Sequence, residues 1–211
     1  VTALVLVPSA LEFGRLSTDA LPGSALVVRV GVSLLDATRR TTLLLEEFAP
    51  DECLLVGLAG TRDPARAPLG TLVVGTAVRN EAVGAGHGAS FVPLGAMGLP
   101  DEPRAPDLLP LVDEIVPADV VAARGVVGSV AAASASPGEA RAWARRHPDV
   151  LVEEMEGYGV ALACRDADVP LAIVRAVANV AGDRDVPGWR LEPAFAALGA
   201  AVRRWGEGLA P

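Results

Sequence analysis

Short, unbroken apolar runs alternate along this chain with stretches whose apolar residues recur every three or four positions. The runs cover residues 3–7, 25–30, 53–56, 71–78, 120–127, 151–154 and 170–177. Each has the length of a strand, and a continuous apolar run of that length suits a strand buried on both faces. Between them, Leu34, Leu35, Thr38, Thr42 and Leu45 have helical spacing, residues 157–167 read as a helix, and a last helix is expected over 192–206. Buried strands separated by helices predict an α/β fold: a single domain over residues 1–211, with a central twisted sheet, mixed but mostly parallel, flanked by helices. Residues 80–119, rich in Gly and Pro, read as loop, and a loop that long is either functional or conceals elements. Residues 131–137 (AAASASP) read as a surface loop.

Composition narrows the partners. The formal charge is −8, so the chain lacks the basic footprint that phosphate backbones require, and no nucleic-acid partner is expected. All 18 basic residues are arginines, which excludes Schiff-base chemistry and a Walker lysine. Cys53 and Cys164 lie in apolar contexts with no ligand pattern around them and read as small buried hydrophobes. With only His87 and His147 available, a zinc site would be mostly carboxylate, so neither a metal nor another cofactor is expected. No apolar run approaches the ~20 residues of a membrane span. The opening VTALVLVPSA has no basic residues ahead of it and reads as a first strand rather than a signal peptide, giving a cytoplasmic expectation.

In open α/β sheets, ligands bind beyond the carboxyl ends of the strands. Four features follow directly on predicted strands: Glu12, the glycine-rich stretch 57–60 (GLAG), the cluster Glu153–Glu154–Met155–Glu156, and Asn179. A parallel sheet would bring all four to one rim. Each has a plainer reading. Glu12 could cap a helix, GLAG could be a tight turn, the glutamates could favour a helix dipole, and Asn179 could end a strand. Together they suit a nucleoside. A carboxylate accepts two hydrogen bonds from a ribose diol, a methionine offers a soft face to the sugar, a second carboxylate can activate water, and an amide suits a purine edge.

These segments resemble the purine nucleoside phosphorylase/nucleosidase superfamily, on the branch of methylthioadenosine/adenosylhomocysteine nucleosidases and futalosine hydrolases. The similarity is clearest over residues 28–61, 68–78 and 152–185, where VEEMEGYG, a helix and PLAIVRA form the superfamily's ribose and base corner; residues 84–110 and 130–150 match poorly. The resemblance implies a nucleoside phosphorylase-like fold and a role for each matching residue. Glu12 would activate the attacking water. Met155 would lie against the ribose, and Glu156 would hold its hydroxyls with Glu154 close by. Ala59 and Gly60 would form the water or anion pocket, and Asn179 would meet the purine N7. It also implies a small-molecule nucleoside substrate and a homo-oligomer, a dimer or built of dimers.

Two departures sharpen the expectation. Where the superfamily's phosphorylases place an arginine and a Ser/Thr to bind phosphate, this chain has Leu55 and Leu58, so water is the expected nucleophile. Where the methylthioadenosine nucleosidases have an aspartic acid, it has Asn179, whose NH2 could donate to a 6-oxo group. The resemblance then implies cleavage of futalosine to hypoxanthine and dehypoxanthine futalosine, in menaquinone biosynthesis, with a methylthioadenosine/adenosylhomocysteine-type nucleosidase, a purine nucleoside phosphorylase and a non-catalytic nucleoside-binding protein as the alternatives. Arg62, Arg79, Arg184 and Arg190 are candidates for the carboxylated end of that substrate.

Overall fold

The structure, a computed structural model, describes residues 3–16, 25–86, 90–98, 106–117 and 123–209. His87 and the first residues of the run 120–127 lie outside them. The elements in chain order are β1 (Ala3–Val7), α1 (Ala10–Leu16), β2 (Ala25–Arg29), α2 (Leu34–Phe48), β3 (Glu52–Thr61), β4 (Leu72–Glu81), β5 (Gly84–Ala85), β6 (Val92–Pro93), β7 (Leu108–Pro110), β8 (Ala123–Val130), α3 (Pro137–Arg146), β9 (Val150–Glu154), α4 (Gly157–Asp166), β10 (Leu171–Val180) and α5 (Leu191–Gly206).

The sheet partly closes on itself. β3 pairs parallel with β10, β10 antiparallel with β4, β4 parallel with β8, β8 parallel with β9, and β9 returns antiparallel to β3. β1 and β2 extend the sheet from the first half of β3. The expected mixed, mostly parallel sheet is present. One premise differs, because β9 runs against β3 rather than along it. Its end still reaches the site, since the second half of β3 leaves β1 and pairs with it, Gly60 opposite Glu153.

Alternation along β3 sorts the core into two layers. Cys53 and Leu55 face a cluster with Leu4, Leu44, Tyr158 and Val160, under α2 and α4. Leu54 and Val56 face a second with Val174, Phe195, Leu198 and Trp205, under α5. The two thiols are reduced and buried, as small hydrophobes. They are also neighbours, and the hydrogen bond with Cys53 and burial together push the Cys164 thiol's pKa up.

Several boundaries move. GLAG is not a turn: β3 runs through it to Thr61, and neither Gly57 nor Gly60 has a positive φ. Asn179 lies within β10, just past a bulge, rather than after the strand. The 80–119 stretch contains the ends of β4 and the short strands β5, β6 and β7. Helix α1 starts at a capping box, with Ser9 and Glu12 three residues apart, and α3 starts with Ser136 as N-cap and Pro137 as its first residue. Both are too short or too polar to stand out by apolar periodicity.

Candidate active site

Pro8, Glu12, Leu58, Ala59, Gly60, Glu154, Met155, Glu156, Asn179, Arg184 and Trp189 are among the residues around a cavity of about 300 Å³. The seven residues to which the resemblance assigns a role, Glu12, Ala59, Gly60, Glu154, Met155, Glu156 and Asn179, are all on its wall. Behind it stands Arg175, fully buried in the middle of β10. Its Nη2 bonds Glu154 and, at 3.3 Å, Glu156. Burial opposes its charge, but Glu154, Glu156 and Glu12 outweigh that and raise its pKa. The sequence signal for Arg175 is its place inside an apolar strand, where a buried charge needs partners.

The carboxylates of Glu154 and Glu156 are in opposite conditions. Glu154 accepts from Glu156 N at 3.0 Å, Gly157 N at 2.7 Å, Ser129 Oγ and Arg175, so its lone pairs are committed to capping α4 and anchoring the arginine. Glu156 accepts only long bonds, 3.3 Å from Ser33 N, 3.4 Å from Met155 N and 3.3 Å from Arg175. These lie at or beyond the usual range, so Glu156 keeps acceptor capacity for a ligand. Ser33 presents its N–H from a φ of 118°, a strained conformation for a non-glycine residue. Burial raises the Glu156 pKa to about 7; Arg175 opposes the rise and the charges of Glu154 and Glu12 add to it.

Glu12 is buried and serves two purposes. Its Oε2 closes the capping box on Ser9, so the plain reading as a helix cap is correct, and its Oε1 accepts from Leu58 N at 2.8 Å. A carboxylate has about four acceptor positions, which leaves one for a ligand or water. Gly57 separates Glu12 from Arg175. A Cβ there would stand 2.3 Å from Arg175 Nη1 and 2.8 Å from Glu12 Oε1, so the glycine is required for close approach and not for a turn.

Met155 is half-buried and packs on Phe91, Val130 and Trp143, which hold it from behind. Glu153, next to Glu154 in the strand, turns to Arg62 and Ser134 instead. Asn179 differs from expectation. Its Nδ2 donates to Val180 O at 3.0 Å and to Asp183 O at 3.1 Å, which uses both amide hydrogens. The atom left for a ligand is Oδ1, an acceptor, so the expected donation to a 6-oxo group is not available in this arrangement. Leu55 is fully buried, and Leu58 offers the cavity an alkyl side chain and no phosphate donor.

A partly closed α/β sheet whose strand ends hold a cavity lined by glutamates and Met155 is the class of fold to which the comparisons also lead. The profile of the Phosphorylase superfamily matches residues 12–202, and the chain belongs to that superfamily. It is 36% identical to the futalosine hydrolase of Streptomyces coelicolor over 153 residues, covering 72% of this chain and 63% of that protein. It is also 36% identical to the futalosine hydrolase of Acidothermus cellulolyticus over 166 residues, covering 74% and 64% respectively. The chain thus spans a little under two thirds of the length of these relatives. The fold matches the crystal structure of Streptococcus pneumoniae MTA/SAH nucleosidase in complex with 8-aminoadenine, with a TM-score of 0.80 at 16% identity, covering 99% of this chain and 100% of that one. Among the described residues, no helix is long and apolar enough to cross a membrane.

Proposed function

We propose that the chain is a nucleosidase that hydrolyses the N-ribosidic bond of futalosine and releases hypoxanthine. The observation that carries the reading is the convergence of Glu12, Met155, Glu156 and Asn179 on one carboxylate-lined cavity with no hydroxyl side chain on its wall among the described residues. Beside Glu12 and Glu156 the wall disfavours a phosphate dianion and favours the positive charge that develops on a ribosyl group as its bond to the base breaks.

Glu156, ionised and incompletely bonded, accepts the ribose hydroxyls, while Met155 supports the sugar face. Glu12 takes a proton from the water that attacks the anomeric carbon. Arg175 holds Glu156 in place and, across Gly57, sets its charge beside Glu12. The departing base is protonated at N7 from solvent, since an amide is no acid, and Asn179 Oδ1 accepts a hydrogen bond from that N7–H. Glu154 acts one step back, by fixing Arg175 and the start of α4. The choice of hypoxanthine follows the 36% identity to two futalosine hydrolases, not the Asn179 amide. A homo-oligomer and a cytoplasmic site of action belong to the same proposal.

The test is product analysis with purified protein. Hypoxanthine should appear from futalosine at the same rate with and without inorganic phosphate. Adenine release from methylthioadenosine with no reaction on futalosine would overturn the substrate, and a strict need for phosphate would overturn the hydrolysis.

A further inference from the structure

Four of the residues around the cavity are glutamates: Glu12, Glu153, Glu154 and Glu156. One is basic, Arg184, and its setting differs from that of the other arginines considered from sequence. Arg62 is buried between Glu81, at 2.7 Å, and Glu153, at 3.1 Å. Arg79 is paired with Asp149 at 2.7 Å, and Arg190 is not on the cavity wall. Arg184 is exposed, forms no ion pair among the described residues, and lies over the ring of Trp189, 5.6 Å from its centroid, with Trp189 also on the wall. The indole N–H of Trp189 has no acceptor among the described residues either.

An unpaired guanidinium on a negatively charged wall has a physical consequence. A neutral nucleoside gains nothing from it. A nucleoside carrying an anionic group is repelled by the glutamates unless a cation meets that group, and stacking on an aromatic ring holds the guanidinium plane ready for bidentate contact. The backbone helps fix the site: Arg184 follows Asp183, whose carbonyl is held by Asn179 Nδ2 at 3.1 Å, so base contact and anion contact are two residues of one short segment.

We propose that Arg184, seated on Trp189, is a specificity-determining residue that selects nucleosides bearing a carboxylate over neutral ones. This rests on the proposed nucleosidase reading and names the feature of the substrate that the site selects. Wild type and the variants Arg184→Gln and Arg184→Lys are compared on futalosine, which carries a carboxylate, and inosine, which has the same base and ribose without one. Arg184→Gln should lower kcat/KM for futalosine about 10- to 100-fold, through KM, and leave inosine within about 2-fold, the scale of one charge-assisted hydrogen bond. Arg184→Lys should recover part of the loss, and added salt should narrow the wild-type preference. An equal loss on both substrates, or no loss on futalosine, overturns the proposal. Calorimetric titration of the same proteins with both compounds separates it from the activity. If neither compound is cleaved, the nucleosidase reading fails, and a Kd ratio between futalosine and inosine that collapses in Arg184→Gln still supports Arg184. A ratio unchanged by the substitution, or no binding of futalosine to wild type, overturns it.

Discussion

Arg175 reaches Glu156 at 3.3 Å with the same nitrogen that bonds Glu154, while its Nη1 and Nε have no hydrogen-bond partner among the described residues. One buried cation therefore serves two adjacent glutamates and feels a third, Glu12. Such a group is balanced only as a whole, since removing one member leaves buried charge uncompensated. The arrangement also leaves Glu156 under-neutralised, and that has a pH signature.

Glu156 has a pKa of about 7 in the fold, against 4.5 for an ordinary glutamate. The folded state thus holds this proton more tightly than the unfolded chain does. The contribution of Glu156 to stability is unaffected below about pH 4.5, declines as pH rises from there to about 7, and is flat above. Activity should run the other way, because the ionised form binds the diol. kcat/KM for futalosine should rise with a slope of one and level off above about pH 7. A rate profile flat from pH 6 to 8 would remove Glu156 from this role.

Gly57→Ala tests the close approach. The added Cβ would meet Arg175 Nη1 at 2.3 Å and Glu12 Oε1 at 2.8 Å, so one or both must move. A cost of about 1–3 kcal/mol in urea unfolding is expected for such overpacking, together with a fall of about 10²-fold in kcat from misplaced groups. Gly14→Ala, in α1 with nothing within 4 Å of the new atom, is the control and should be neutral or slightly stabilising. Equal behaviour of the two variants would exclude the packing argument.

Much of this was legible in the chain, for reasons that differ by residue. Strands β1, β3 and β10 announce themselves because they are buried on both faces and so cannot carry polar residues except for a purpose. Glu12, Met155 and Glu156 follow such strands and Asn179 lies near the end of one, which places them on the cavity wall. What stayed hidden depends on long-range pairing. The switch of β3 from β1 to β9 is a sheet-closure event with no local pattern, and pairing with β10 all along residues 57–60 makes GLAG strand rather than turn. The difference between Glu154 and Glu156 rests on donors from residues 33, 129 and 175, distant in sequence. The Asn179 rotamer is set by carbonyls of the segment after it.

Glu12→Gln separates the two purposes of that side chain. Glutamine has a single acceptor oxygen, which can still close the capping box with Ser9, but its NH2 then faces Leu58 N, so a stability cost of about 1–3 kcal/mol is expected while the affinity for futalosine should change little. It cannot take a proton from water, and turnover should fall by about 10²–10⁴-fold, the usual worth of a general base. Stopped turnover with an unchanged Kd by calorimetry is the expected pair of results. Turnover within a factor of a few of wild type would remove Glu12 from the chemistry and leave it as a cap.

Asn179→Asp sets the observed geometry against the sequence expectation. If base selection came from the amide NH2 donating to a 6-oxo group, the substitution would shift preference strongly toward the 6-amino analogue of futalosine. In the structure both amide hydrogens go to the carbonyls of Val180 and Asp183. An aspartate there loses both donors and sets its oxygens against two carbonyls, which should cost about 1–3 kcal/mol of stability at neutral pH. The same change frees the segment that carries Arg184, so kcat/KM for futalosine should also fall. The atom facing the base remains an oxygen acceptor, so the ratio of kcat/KM between futalosine and its 6-amino analogue should move less than about 10-fold, well short of the ~10⁴-fold that a mismatched hydrogen-bond pair can impose. Undiminished stability with an inverted base preference would mean that the amide leaves the two carbonyls when substrate binds.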